Sequence, residues 1–308
     1  MDNKRNGLLE IYRFILCFWP LYHHNFFFME RDHSRFTVAN LAVDFFYVLS
    51  GFFLLRSISR RKNETIFLGC IKTVYDRVKP MLFSIVYITA FSLLSIMLFI
   101  RENHLKVAFE VVKYWWFILY LLVAVAIFYL LYRVIKNKWA YFFTMFLVSL
   151  GMLIFHFAVE KRGFLIPELT FPARTIGCIA LGVMVSYIPG FKTKKFNLNI
   201  IAALLLFLSL LYLAYREKSY GVCILMIVMF AALVYFSSNV SVSGRVFDLV
   251  GKLSTRIYLY MAFVTVIYYL GITNHRMLFV IDVFLAVLDM VLTNYREKYL
   301  ALKAKLEK

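Results

Sequence analysis

Three ionisable residues near the amino end are spaced as if for acid–base work. They are Glu10, Arg13 and His24, and the last closes the stretch RFILCFWPLYHH. In a helix, Glu10 and Arg13 lie one turn apart, where a carboxylate and a guanidinium pair. At 100° per residue, Arg13 and His24 differ by only about 20° in direction and lie about 16 Å apart along one face. His23 turns about 80° aside by the same arithmetic. Pro20 removes one backbone donor and can bend the helix between them. A guanidinium at one end and an imidazole three turns on supply an anion-binding group and a general base. The bland alternatives are an Arg13 that snorkels to headgroups and an interfacial His24.

Further along, LAVDFFYVLSGFFLL carries Asp44 a few residues inside an apolar run, then Ser50 and Gly51 near its middle. Asp44 and His24 are expected at similar depth on adjacent helices, where a carboxylate orients an imidazole and raises its basicity. The alternative is a lone interhelical hydrogen bond. In KTVYDRVKPML, Arg77 and Lys79 precede Pro80. With Arg56, Arg60, Arg61, Lys62 and Lys72 they form the densest cationic loop of the chain. Such a loop is either a phosphate clamp for an anionic donor or simply a topology signal facing anionic lipid. Glu10, Ser50, Arg77 and Lys79 are therefore candidate substrate-binding residues, and His24, Arg13 and Asp44 candidate catalytic ones. His156 also lies in an apolar run. Asp282 and Asp289, seven apart, share a face of the last one and line a path or cap interhelical bonds. Ionisable groups in such segments usually face the bundle interior.

The elements that must hold these residues are set by composition. The 308 residues are 63% hydrophobic and 19% aromatic, with a mean hydropathy of +0.77. Globular chains are about 45–50% apolar, so a polytopic membrane protein is indicated. A span needs about 20 mainly apolar residues. Ten stretches qualify: 8–28, 36–55, 81–100, 114–132, 139–159, 175–191, 198–215, 219–244, 257–272 and 277–295. No barrel-like alternation occurs, so the fold class is all-α. The net charge of +18 concentrates in the loops between spans, where topology accounts for it and nucleic acid need not. Placing both termini in the cytoplasm puts most lysines and arginines inside, as the positive-inside rule requires. Residues 1–308 read as one transmembrane domain of the plasma membrane, with a short basic extension at 296–308 and a retained first span. Cys17, Cys70, Cys178 and Cys223 are scattered without metal spacing and read as packing residues; no metal site is expected.

These motifs resemble the integral-membrane acyltransferase family 3, ten-helix enzymes that O-acylate cell-surface sugars. The resemblance rests on Glu10, Arg13 and His24 in the first helix and on VDFFYVLSGF at 43–52 in the second. It continues with Arg77-Val78-Lys79-Pro80, with YWWFIL around Trp116 and with GKLSTRIYLYM at 251–261. Val74 stands where the family often has a second arginine, and Met261 where it has a late histidine. The resemblance implies an O-acyltransferase with no bound cofactor. It implies acyl-CoA as cytoplasmic co-substrate, a glycan or other hydroxyl as acceptor, and membrane lipids as surroundings. Arg13 and Arg77 would meet the donor's phosphates, and the pantetheine arm would reach His24, which would deprotonate the acceptor hydroxyl while Asp44 fixed its tautomer. A transporter or flippase for a glycan or small molecule is the rival reading, and a non-catalytic scaffold a further one.

The orientation is testable. A cysteine placed near Lys62 should resist a membrane-impermeant thiol reagent in intact cells, and one near Arg31 or Glu160 should react. The reverse pattern would overturn the assignment of the cytoplasmic side.

Overall fold

The computed structural model describes residues 6–30, 36–61, 63–99, 107–108, 111, 115–161, 167–189, 196–216, 219–240 and 242–306. For some of these, residues 22–30 and 36–41 included, only the backbone is described. Among the described residues the chain forms ten long helices and no strand. Hydrocarbon offers no water to an open peptide group, so apolar runs satisfy their own backbone as helices. The helices are α1 (Gly7–Glu30), α2 (Phe36–Ser59), α3 (Ile66–Phe99), α4 (Trp116–Val134) and α5 (Lys138–Lys161), then α6 (Pro167–Val185), α7 (Phe196–Arg216), α8 (Tyr220–Ser238), α9 (Arg245–Tyr269) and α10 (His275–Leu306). Each expected span has its helix. Seven helices carry apolar windows long enough to cross a bilayer, and α6 and α7 have the shorter apolar stretches Thr170–Val185 and Leu198–Leu213. Phe67, Met97, Trp139 and Leu205 are among many large apolar side chains on the outside. On a multi-pass membrane protein such a surface faces lipid.

Three helices begin earlier than apolarity alone predicts, among them α9, which starts at Arg245 rather than near 257. α3 starts at Ile66 rather than near 81, so Arg77, Lys79 and Pro80 lie inside it. Its polar first turns are tied down: Arg61 pairs with Asp76, and Lys72 with Glu64 at 3.1 Å. α6 starts at Pro167, a residue suited to a first helical position, and so takes in Arg174.

The helices fall into two compact units. The first comprises Met1–Glu10, Ser34–Arg77 and Phe117–Gly244. Its tightest seam joins α2 to α6 through glycines. A Cβ on Gly182 would sit 1.9 Å from the carbonyl oxygen of Val48, and one on Gly51 would sit 2.0 Å from that of Ile179. Small residues at such seams let backbones touch where no hydrophobic effect drives helices together. α5 and α6 pack antiparallel. Ser149 Oγ donates to the Gly177 carbonyl at 3.0 Å, and a Cβ on Gly177 would meet Leu153. Phe45 of α2 meets Phe230 of α8, ring centroids 5.6 Å apart. Arg133 of α4 ties down the turn before α3, donating to the carbonyls of Arg61 at 3.1 Å and Glu64 at 2.9 Å. Asn6 caps α1, and its amide donates to the carbonyls of Ser237 in the last turn of α8 and Val240 just after it.

The second unit comprises Ile11–His33, Val78–Trp116 and Arg245–Lys308. There α9 packs on α10, Phe18 of α1 stacks on Phe279 of α10 at 5.8 Å, and Phe91 of α3 meets Phe263 of α9 at 5.1 Å.

The glycine seam yields a prediction. Gly182→Ala should lower thermal stability in detergent by about 1–3 kcal/mol or more, since backbone lies in the way and α2 must move. Gly221→Ala, with nothing within 4 Å of the new Cβ, should be neutral or slightly stabilising. Equal melting temperatures for the two variants would show that the seam does not set stability.

Candidate active site

The seam that joins α2 to α6 also brings Asp44 to Arg174. Asp44 precedes Gly51 by about two turns, and Arg174 precedes Gly182 by about two turns, so a parallel course sets them side by side. Arg174 Nε donates to Asp44 Oδ1 at 2.7 Å and Nη2 to Oδ2 at 2.6 Å. This is the two-pronged pairing a guanidinium is shaped for. Both residues are buried, with side chains 7% and 1% exposed. A third member comes from α5. His156 Nδ1 lies 3.1 Å from the Thr170 carbonyl, and Arg174 Nη1 lies 3.5 Å from His156 Nε2. A carbonyl only accepts and a guanidinium only donates. The network therefore assigns His156 as neutral, with its proton on Nδ1.

Arg174 is the residue that the apolar pattern hides. A span counted from Thr175 leaves it just outside as an interfacial charge. Its preceding FPA and the Pro167 start were the available signals that the helix begins earlier.

The other candidates fall in place as follows. Glu10 is buried at 8% exposure. Arg13 Nη2 donates to Thr255 Oγ1 at 2.8 Å, and Thr255 in turn donates to the Gly251 carbonyl at 3.2 Å. The first-helix motif and the late GKLST motif thus meet at one hydrogen bond. Arg77 Nη2 lies 3.5 Å from the Ser50 carbonyl oxygen, which brings those two candidates together, whereas Lys79 is exposed. His23 and His24 fall in the last turns of α1, and their side chains lie outside the described residues. The expected pairing of Asp44 with His24 therefore has one described half, and in that half Arg174 holds both carboxylate oxygens.

The two acids of α10 separate sharply. Asp289 Oδ2 accepts from Ser84 Oγ of α3 at 2.5 Å, and Oδ1 accepts from Thr293 Oγ1 at 3.2 Å. Arg256 Nε lies 3.2 Å from Oδ2, an ion-pair contact without hydrogen-bond alignment. Asp282 is as deeply buried as Asp289 and has no such set of partners. Among the described residues, no cluster of His, Cys, Asp and Glu suits a metal ion.

The first unit thus holds a cation at Arg77 and a buried carboxylate locked by Arg174, and the second holds a cation at Arg13. A family model described as an acyltransferase domain matches residues 6–293. Neither the curated proteins nor the solved structures contain a match.

The ion pair makes a sharp prediction. Asp44→Leu or Arg174→Leu alone should cost about 3–5 kcal/mol, because each leaves a buried charge unpaired. The double variant should recover most of that loss. A double-mutant cycle by thermal or denaturant unfolding measures the coupling, and additive losses would exclude it.

Proposed function

The chain belongs to this acyltransferase family, and from that premise we propose that it moves an acyl group, an acetyl, from cytoplasmic acyl-CoA to a hydroxyl of a cell-surface or lipid-linked sugar. Its place is the plasma membrane, with both termini in the cytoplasm. One observation carries the reading. Arg13 turns inward and donates to Thr255, so polar residues of the first and late motifs face each other rather than headgroups. That contact favours a role inside the bundle over snorkelling.

In the proposed reaction, Arg13, Arg77 and Lys79 hold the phosphates of the donor. Arg77 is steadied by the Ser50 carbonyl. The His24 imidazole takes the proton of the acceptor hydroxyl. The oxygen attacks the thioester carbonyl carbon, the C–S bond breaks, and the imidazolium returns the proton to the leaving thiolate. The proton is conserved, and no bound cofactor takes part. Asp44 is the carboxylate of this scheme, and Arg174 sets how much negative charge it presents. Glu10 is a substrate-side acid near the start of α1.

Transfer of radiolabelled acetyl from acetyl-CoA by the purified protein, with mass spectrometry of surface glycans from cells with and without it, tests the reading. His24→Ala should lower transfer about 100- to 10,000-fold, the range for loss of a general base, while donor binding persists. His23→Ala should lose much less, and Asp44→Asn should fall between. Arg13→Ala and Arg77→Ala should chiefly weaken donor use, and Arg77→Lys should be gentler. Near-normal turnover in His24→Ala would end the mechanism.

A further inference from the structure

Asp282 lies on the buried stripe of α10 with Leu278, Ala286 and Asp289. Asp289 spends its oxygens on Ser84, Thr293 and Arg256. Asp282, two turns before it, is 1% exposed, and among the described residues neither of its carboxyl oxygens has a hydrogen-bond partner. Native chains leave very few buried polar side chains in that condition, because desolvation without a replacement hydrogen bond is costly. The carboxyl is therefore available to a partner from outside the chain.

Its position is set by α1. Phe279 comes three residues before Asp282, so the two point to one side of α10, and Phe279 stacks on Phe18 of α1. Cys17, next to Phe18, lies within the field of both Asp282 and Arg13. Among the described residues neither hydrogen-bonds to the carboxyl: the Cys17 thiol is 3.0 Å from the Phe14 carbonyl of its own helix, and one Arg13 donor goes to Thr255. Leu278 and Ala286, one turn away on either side, are apolar. Tyr260 of α9 also lies within the field of Asp282 without hydrogen-bonding to it. A single carboxyl does not suit a metal ion, which asks for several oxygen ligands; no such cluster occurs among the described residues. It suits a single neutral hydrogen-bond donor.

We propose that Asp282 is a substrate-binding residue, and that its carboxyl accepts a hydrogen bond from a hydroxyl or amide N–H of a ligand reaching the bundle interior beside α1. This deepens and rests on the acyl-transfer reading. The two molecules that reading brings into the membrane both carry the required group. The pantetheine arm of acyl-CoA has amide N–H groups, and the acceptor has hydroxyls.

The test uses the full chain, purified in detergent, as wild type, Asp282→Leu, Asp282→Asn and Asp289→Leu. Thermal unfolding is followed without ligand, with acetyl-CoA and with pantetheine, beside acetyl transfer from radiolabelled acetyl-CoA. Without ligand, Asp282→Leu should unfold no lower than wild type, whereas Asp289→Leu should unfold at a lower temperature. Transfer by Asp282→Leu should fall about tenfold or more, the scale of one lost hydrogen bond, and Asp282→Asn, whose amide oxygen still accepts, should lose less. If stabilisation by acetyl-CoA and pantetheine is lost together, the donor arm is the ligand. If it persists while transfer falls, the acceptor hydroxyl is. Wild-type transfer by Asp282→Leu overturns the assignment, as does a ligand-free melting temperature lowered like that of Asp289→Leu. A wild-type protein that neither binds nor turns over acetyl-CoA overturns the acyl-CoA reading and this assignment with it, a failure distinguished by appearing without any substitution.

Discussion

Asp44 and Arg174 sit where water is scarce, and there each charge depends on the other. Two parallel hydrogen bonds of 2.7 and 2.6 Å join them. Removing both ions from water is costly, and only close, well-aligned pairing with further hydrogen bonds offsets it. Much of the first unit is arranged to meet that condition. α2 and α6 approach until a Cβ on either glycine of the seam would clash with backbone. α5 closes against α6, and His156 comes beside the guanidinium from that side. The pair then fixes the rotation of α2, because the face that holds Asp44 inward also decides where Ser50 and Gly51 point.

The same rule, that polar groups inside the bundle must be answered from within the chain, accounts for much of the remaining polar bonding. Arg133 answers two turn carbonyls. Asn6 answers two more at the end of α8 while capping its own helix. Asp289 gathers a serine from α3, a threonine from its own helix and an arginine from α9. Against that background, an acid with no answering group stands apart from the structural acids, which is why burial alone does not sort function from architecture in this protein. Asp282 and Asp289 have the same residue type, face and burial, and differ only in what meets them.

The motif residues follow a related logic. Arg13 and Thr255 are far apart in the chain, yet one hydrogen bond of 2.8 Å joins them. Arg77 reaches the carbonyl of Ser50, and not its hydroxyl, at 3.5 Å. A helix carbonyl already bonded within its helix can accept a second donor.

What the amino-acid sequence determined by itself is the set of elements. Apolar runs of span length have one solution in hydrocarbon, so the helices and an all-helical membrane class were legible from composition, and so was the family through Glu10, Arg13, His24 and the VLSGF stretch. Helix starts were legible only where apolarity marks them. α3 and α6 begin in polar sequence held by ion pairs or by a leading proline, which is how Arg174 escaped notice. Partnership was less legible. Asp44 was expected beside an imidazole, and its described partner is an arginine 130 residues away. Asp282 and Asp289 looked equivalent and are not. Periodicity gives each side chain a direction on its own helix. Which helix stands opposite, and at what height, depends on glycine contacts between segments distant in sequence, and only the tertiary structure decides it.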